Sequence, residues 1–252
     1  MSLKFTKMHG LGNDYLYVLG NPDRAKERYG VDAPDLSVRL SDRHFGVGSD
    51  GMIWIAPSDD ADCTMRIFNA DGSEAKMCGN GVRCVGKYLY DKGLVDRLSV
   101  CVDTLSGVKE LELAPGSDGA IERVSVCMGR AEVEPERVVE ALGEKVRLTP
   151  VDVGNPHAVV FTEDALAAPV ATLGAALERH EAFPDGVNVE FVEVTGENEL
   201  RMRVWERGSL ADGARPVRVV LDGGELLIEV RSDGEVVMTG PATTVCEGEV
   251  EL

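Results

Sequence analysis

The chain has 252 residues, 44% of them hydrophobic and 28% charged, values of a globular protein large enough for one large or two modest domains with cores of their own. Acidic residues outnumber basic ones by 44 to 26, and the resulting net charge of −18 argues against a nucleic-acid backbone or an anionic membrane as partner. The longest apolar runs, such as Met52–Ala56, fall far short of the ~20 residues a membrane span needs, and Met1–Lys7 lacks the apolar stretch of a secretion signal.

Most segments read as short strands with turn punctuation. In chain order, examples are Met52–Ile55, Thr64–Phe68, Leu98–Val102, Lys109–Leu113, Val151–Val153, Ala158–Phe161, Asn188–Val194, Arg201–Trp205, Val217–Leu221 and Leu226–Val230. Two helices interrupt them. Gly81–Lys92 sets Val82, Val85, Tyr88 and Leu89 at helical spacing with Gly93 as a stop, and Ala165–His180 is rich in Ala and Leu. Strand clusters with isolated helices predict an α+β protein, not βαβ winding. The Pro/Gly/Ser stretch Ala114–Gly119 is the expected hinge between halves.

The two halves look like copies. Met65-Arg-Ile-Phe parallels Met202-Arg-Val-Trp at an offset of 137, while Val100-Cys-Val-Asp parallels Val217-Arg-Val-Val at an offset of only 117. About 20 residues present in the first copy are therefore missing after Ser209 in the second. In the first copy this interval holds Cys78, a glycine loop and the helix Gly81–Lys92.

Six cysteines (Cys63, Cys78, Cys84, Cys101, Cys127 and Cys246) show no framework spacing and read as the reduced thiols of a cytoplasmic protein. Cys78 stands before Gly79-Asn80-Gly81, which opens a helix. The unpaired N–H groups and positive end of the helix dipole favour a thiolate at Cys78 and make Gly79 and Asn80 a seat for a carboxylate. A buried cysteine beside an ordinary turn is the plainer alternative. Cys84 reads as core, and no second cysteine pair or nearby histidine supports tetrahedral zinc, so no metal is expected. Gly46-Val-Gly-Ser-Asp-Gly51 satisfies G-x-G-x-x-G, but a strand follows where a nucleotide fold needs a helix, so it reads as a turn. Asn13, Asn69, Asn155 and Asn188 each sit beside turn residues and together could present neutral donors and acceptors to a small zwitterion. Glu206-Arg207 is a solvated pair or a bidentate carboxylate clamp, and His157 a structural residue or one that tunes a thiol.

Taken in order, Phe5–Asp14, Phe45–Gly51, Phe68–Cys84, Gly154–His157, Asp185–Phe191, Trp205–Gly208 and Met238–Ala242 resemble the diaminopimelate epimerase family over nearly the whole chain. The resemblance implies two pseudo-symmetric α+β domains, each a curved, mostly antiparallel sheet around a central helix, with substrate in the cleft between them. The expected division is 1–117 and 118–239, with 240–252 returning to the first domain. It further implies epimerisation of LL- to meso-diaminopimelate in lysine and cell-wall precursor synthesis, without a cofactor. Cys78 would be one of two thiols flanking the α-carbon. Asn13, Asn69, Gly79, Asn80, Asn155, Asn188, Glu206 and Arg207 would bind substrate, with His157 and Glu206 tuning thiol ionisation. The implied partner is a small amino acid, with no nucleic acid or membrane, and a homodimer is compatible.

The chain departs from the family where Gly208 runs into Ser209–Pro216: no cysteine lies between Cys127 and Cys246, so the second catalytic thiol is absent. A true deletion would empty the second core, where a cavity of one side chain already costs about 2–5 kcal/mol. Strand patterning nevertheless persists, so the expectation is a molecule that carries further residues there, with an intact mass above 27.1 kDa. Other readings stay open: a racemase of another amino acid, an impaired member that binds an amino acid without turnover, or a thiol redox or metal protein using Cys78 and Cys84.

Overall fold

The structure, a computed structural model, describes residues 1–197, 199–206, 209–211, 218–221 and 224–252. The chain forms two compact units, one of Met1–Val126 with Gly240–Leu252, the other of Cys127–Thr239. Each is a curled, mixed sheet with few helices, and the protein is a two-domain α+β fold.

The first unit holds β1 (Ser2–Gly10), β2 (Asn13–Leu19), α1 (Ala25–Tyr29), α2 (Ala33–Ser41), β3 (Gly51–Ala56), β4 (Cys63–Asn69), β5 (Glu74–Ala75), α3 (Gly79–Asp91), β6 (Ser99–Asp103), β7 (Lys109–Pro115) and β8 (Ile121–Arg130). The second holds β9 (Glu132–Val133), β10 (Arg137–Ala141), β11 (Glu144–Asp152), β12 (Pro156–Phe161), a π-turn (Val170–Gly174), α4 (Ala175–Glu178), β13 (Asn188–Gly196), β14 (Glu199–Glu206), β15 (Ser209–Ala211), β16 (Arg218–Leu221), β17 (Gly224–Val230) and β18 (Glu235–Pro241). The chain ends in β19 (Thr243–Glu251), which pairs antiparallel with β1 in the first unit. It passes between units within β8 and again within β18.

Strand pairing carries the internal repeat. In the first unit β1 and β2 are antiparallel, β2 and β3 parallel, β3 and β4 antiparallel, β4 and β6 parallel, and β6, β7 and β8 antiparallel in turn. In the second, β11, β12, β13, β14, β16, β17 and β18 repeat that alternation in the same order. A parallel pair needs a crossover, and a helix is the usual way to bury one. The β2–β3 crossover carries α1 and α2, and its counterpart β12–β13 carries the π-turn and α4. The β4–β6 crossover, Asn69 to Ser99, carries α3. Its counterpart, Glu206 to Arg218, is far shorter, and among the described residues it contributes only β15.

Two layers cover the first sheet. Leu36 and Leu40 of α2 pack with Leu16, Met52, Trp54 and Phe68 on one face. Alternation along the strands sends Tyr17, Ile53, Met65 and Ile67 to the other face, all buried, where α3 buries Val82, Cys84, Val85 and Leu89. Strands covered on both sides explain the unbroken apolar run Met52–Ile55. Two glycines let α3 lie close. A Cβ on Gly81 would come within 2.6 Å of Ile53 Cδ1, and one on Gly86 within 2.8 Å of Leu111 Cδ2. In the second unit Val170, Leu173 and Leu177 pack on Ala158, Val187, Val189 and Phe191.

Two expectations need correction. The helix expected over Ala165–His180 is confined to Val170–Glu178. Pro169 pushes Ala168 out of the helical region, so the Ala/Leu run before it cannot join the helix. The stretch Ala114–Gly119 is the turn of the β7–β8 hairpin, closed by Gly116 N–H to Ala120 O at 2.8 Å, and no hinge lies there. Its Pro, Gly and Ser signal a tight turn as readily as a linker.

Candidate functional site

Cys78 is the N-cap of α3. Its Sγ accepts a hydrogen bond from Gly81 N–H at 3.3 Å, so the sulfur takes up one of the helix's orphan donors. Its thiol donates to Asn13 Oδ1 at 3.3 Å. Asn13 follows a two-residue turn with Leu11 at φ +58° and Gly12 at φ +91°, and a Cβ on Gly10 would meet Asn80 O and Arg83 Nη2 at 3.0 Å. The β1–β2 turn is thereby pressed against the start of α3, which brings Asn13, Cys78, Gly79 and Asn80 together.

Two supports of this cluster were not evident in the sequence. Arg83, one turn into α3, is fully buried. It donates to Asn80 Oδ1 at 2.8 Å, Pro241 O at 3.3 Å and Gly79 O at 3.4 Å, fixing the Gly79-Asn80 segment from behind. Burial pushes its pKa down, yet an arginine remains a cation. Arg83 and the helix N-terminus together make this corner electropositive. An arginine on the apolar face of a helix was the available signal.

The second support is a charged lattice below Asn13. Asn13 Nδ2 donates to Asp50 Oδ2 at 2.9 Å, and Asp14 N–H donates to the same oxygen at 3.0 Å. Arg43 bridges Asp50 Oδ1 at 2.8 Å and Asp14 Oδ1 at 2.7 Å, while Lys7 Nζ lies 2.8 Å from Asp14 Oδ2. Burial raises the Asp14 pKa, but the hydrogen bonds and charges of Arg43 and Lys7 outweigh it and hold the carboxyl below its usual value. The glycine-rich string read as a turn thus delivers Asp50 to the cluster, with β3 starting directly after it.

Asn69 ends β4 opposite Gly51, with its amide donating to Ser73 Oγ at 3.0 Å. Cys84 is fully buried, and burial raises its pKa. Tyr17 beside it donates to Gly81 O at 3.2 Å, its pKa pushed well up by burial and then by Cys84. Among the described residues no group of three His, Cys, Asp or Glu side chains could hold a metal ion. No helix among them is long and apolar enough to cross a membrane.

In the second unit His157 and Asn188 stand side by side across the parallel β12–β13 pair. His157 Nδ1 lies 2.6 Å from Oε1 of Glu190, a buried carboxylate whose Oε2 has no hydrogen-bond partner among the described residues. A glutamate between the apolar Val189 and Phe191, in the buried first half of β13, was the signal for this third member. Asn155 lies in the turn before β12, its carbonyl accepting from Val153 N–H at 3.3 Å. Glu206 ends β14, next to Trp205, which pairs with Val189. Arg207 lies outside the described residues.

A sequence model of the diaminopimelate epimerase family matches residues 5–134 and 149–212. Diaminopimelate epimerase of Bacillus licheniformis is 44% identical over 283 residues, covering 98% of both chains. That of Acetivibrio thermocellus is 42% identical over 283 residues, covering 99% of both. Both alignments are longer than this chain of 252 residues, so these relatives carry residues without a counterpart here. Among solved structures, a hydroxyproline epimerase of Agrobacterium vitis superposes at TM-score 0.63 with 15% identity, covering 99% of this chain and 92% of the other. A Bacillus anthracis phenazine biosynthesis protein of the PhzF family superposes at 0.66 with 14% identity, covering 100% of both. At such identities these two show a shared fold. On the family match and the full-length relatives, the chain belongs to the diaminopimelate epimerase family.

Proposed function

We propose that the protein interconverts LL- and meso-diaminopimelate by moving the α-proton on thiol groups, without a cofactor, in lysine and cell-wall precursor synthesis in the cytoplasm. The observation that carries this reading is Cys78 at the N-terminus of α3, flanked by the Gly79-Asn80 segment that Arg83 braces. The α-proton of an amino acid is a very weak acid, so the site must stabilise the carbanion as it forms. Cys78 takes the proton as thiolate on one face of the α-carbon. Backbone N–H groups at the start of α3 hold the substrate carboxylate, over which the new charge spreads. Asn13, Asn69, Asn155 and Asn188 bind the remaining polar groups of the substrate. Glu206 and Arg207 hold the amino-acid head, and His157 and Glu206 adjust thiol ionisation.

Inversion also requires an acid on the opposite face. In this reading it is a second thiol on a segment after Ser209, where the second copy of the internal repeat is about 20 residues shorter than the first. Purified protein tests the proposal: epimerising turnover of LL-diaminopimelate that Cys78→Ser abolishes, with the fold retained by circular dichroism, supports it, and turnover surviving that change overturns it. The short β14–β16 crossover favours a second reading for a chain of mass 27.1 kDa, an amino-acid binder that exchanges the α-proton on one face without inverting it.

A further inference from the structure

We propose that Asp50, clamped by Arg43, is a positioning residue that turns the Asn13 amide so that its oxygen, not its nitrogen, meets the Cys78 sulfur. An asparagine amide is nearly symmetric in shape, so something other than packing must choose its orientation. Asp50 makes that choice. A carboxylate paired with a guanidinium only accepts, and Asp50 Oδ2 lies 2.9 Å from the Asn13 amide. The amide must therefore present Nδ2 to Asp50, and Oδ1 is left for the sulfur at 3.3 Å. Asp14 N–H, also on Oδ2 at 3.0 Å, and Arg43, on Oδ1 at 2.8 Å, prevent the carboxylate from rotating away.

The consequence is chemical. An oxygen acceptor stabilises Cys78 as S–H and opposes S⁻, whereas the amide NH₂ would do the reverse. Asp50 therefore biases Cys78 towards the proton-donating form, against Gly81 N–H and the Arg83 charge on α3, which favour the thiolate. Tyr17 on β2 also interacts electrostatically with this sulfur. This inference rests on Cys78 being the proton-moving thiol of the proposed reaction. Cys78 must form its thiolate to take the α-proton, and the Asp50–Asn13 pair opposes that form, so it raises the pH at which the thiolate appears.

The test follows alkylation of Cys78 by iodoacetamide against pH, with the modified cysteine identified by peptide mass mapping, in wild type, Asp50→Ala, Asn13→Ala and the double variant. Freed from Asp50, Asn13 turns its NH₂ to the sulfur, and Asp50→Ala is expected to alkylate at Cys78 about tenfold faster at neutral pH, a shift of roughly one pH unit in the profile. In the Asn13→Ala background the same change should alter the rate by less than about twofold, because the effect travels through Asn13. An unmoved profile in Asp50→Ala overturns the inference. So does an equal acceleration with and without Asn13, since charge alone would then account for it. Asp50→Ser is the second variant should Asp50→Ala fail to fold, with the same expectation. Alkylation needs no substrate, so a protein that fails to turn over diaminopimelate can still pass or fail this test.

Discussion

Gly51 is the residue where the close fit around the candidate site is most exposed to a single change. It opens β3, pairs with Tyr15 on one side and Asn69 on the other, and follows Asp50 directly. A Cβ placed there would stand 2.3 Å from Phe68 O and 2.9 Å from Asn69 Cα. The first distance is about 1 Å inside the ~3.5 Å separation at which non-bonded atoms settle. Both obstacles are backbone of β4, fixed by a register running from Gly51↔Asn69 to Ala56↔Thr64, so no side-chain rotation relieves the overlap. Gly51→Ala is therefore expected to cost about 3 kcal/mol, the upper end of the range for overpacking. Gly12→Ala is the control: its φ of +91° is unfavourable for alanine, but its Cβ would meet nothing within 4 Å, so only the backbone cost of about 1–2 kcal/mol remains. Urea unfolding read from tryptophan fluorescence measures the difference. Trp54 reports the first unit and Trp205 the second, so a Trp205→Phe background isolates the unit that holds Gly51. If Gly51→Ala loses no more stability than Gly12→Ala, the close approach of β3 and β4 is wrong.

Three further predictions concern charge and thiols. Burial, with Asp62 and Asp103 nearby, pushes the Cys63 pKa up to about 12, and burial raises that of Cys84. Iodoacetamide at pH 8 should therefore spare both and label exposed Cys246 in peptide maps of the native protein. Labelling of Cys63 or Cys84 without denaturant would contradict the packing of β4 and α3. Asp14 is more acidic folded than its usual 3.8, so its pairing with Arg43 and Lys7 stabilises the fold above that pH and is lost as pH falls through the lowered value. Asp14→Asn should thus be less stable than wild type in urea at pH 7 and converge with it as pH falls below 3.8 and through the lowered value; a gap that widens in acid would reverse the sign. Arg83→Met exchanges three hydrogen bonds for relief of a buried charge, so stability should stay within about 2 kcal/mol of wild type. Substrate affinity measured by calorimetry should fall about tenfold as the Gly79-Asn80 segment loses its brace, and an unchanged affinity would remove Arg83 from the site.

The strands named from the sequence were legible because they are short and ended by turn residues, as at Met52–Ile55 and Arg201–Trp205, whereas the longer, charge-bearing β1, β8 and β19 were not named. The internal copy was legible because two strand pairs kept their sequence, and the pairing order of the two sheets repeats accordingly. The α1–α2 segment was missed because five and nine residues make too few turns for a clear period, although Asp32-Ala33-Pro34 is a helix start that could have been read. Cys78 could be placed at a helix start from the glycines around it. Asp50, Arg43 and Glu190 could not be placed near Asn13, Asp14 or His157, because those contacts join segments 29 to 37 positions apart through tertiary pairing alone, as in Arg43–Asp14, His157–Glu190 and Asn13–Asp50. A pattern read along one strand carries no information about which loop lands beside it.

The central claim is that Cys78 moves the α-proton of diaminopimelate. Incubating wild type and Cys78→Ala with LL-diaminopimelate in deuterated water, and following stereochemistry and α-deuterium by NMR, tests it most directly. The account predicts α-deuterium uptake by wild type, with deuterium at the inverted centre of the meso product, and none by the variant. Folded wild type that takes up no deuterium, or uptake that survives in Cys78→Ala, would contradict it.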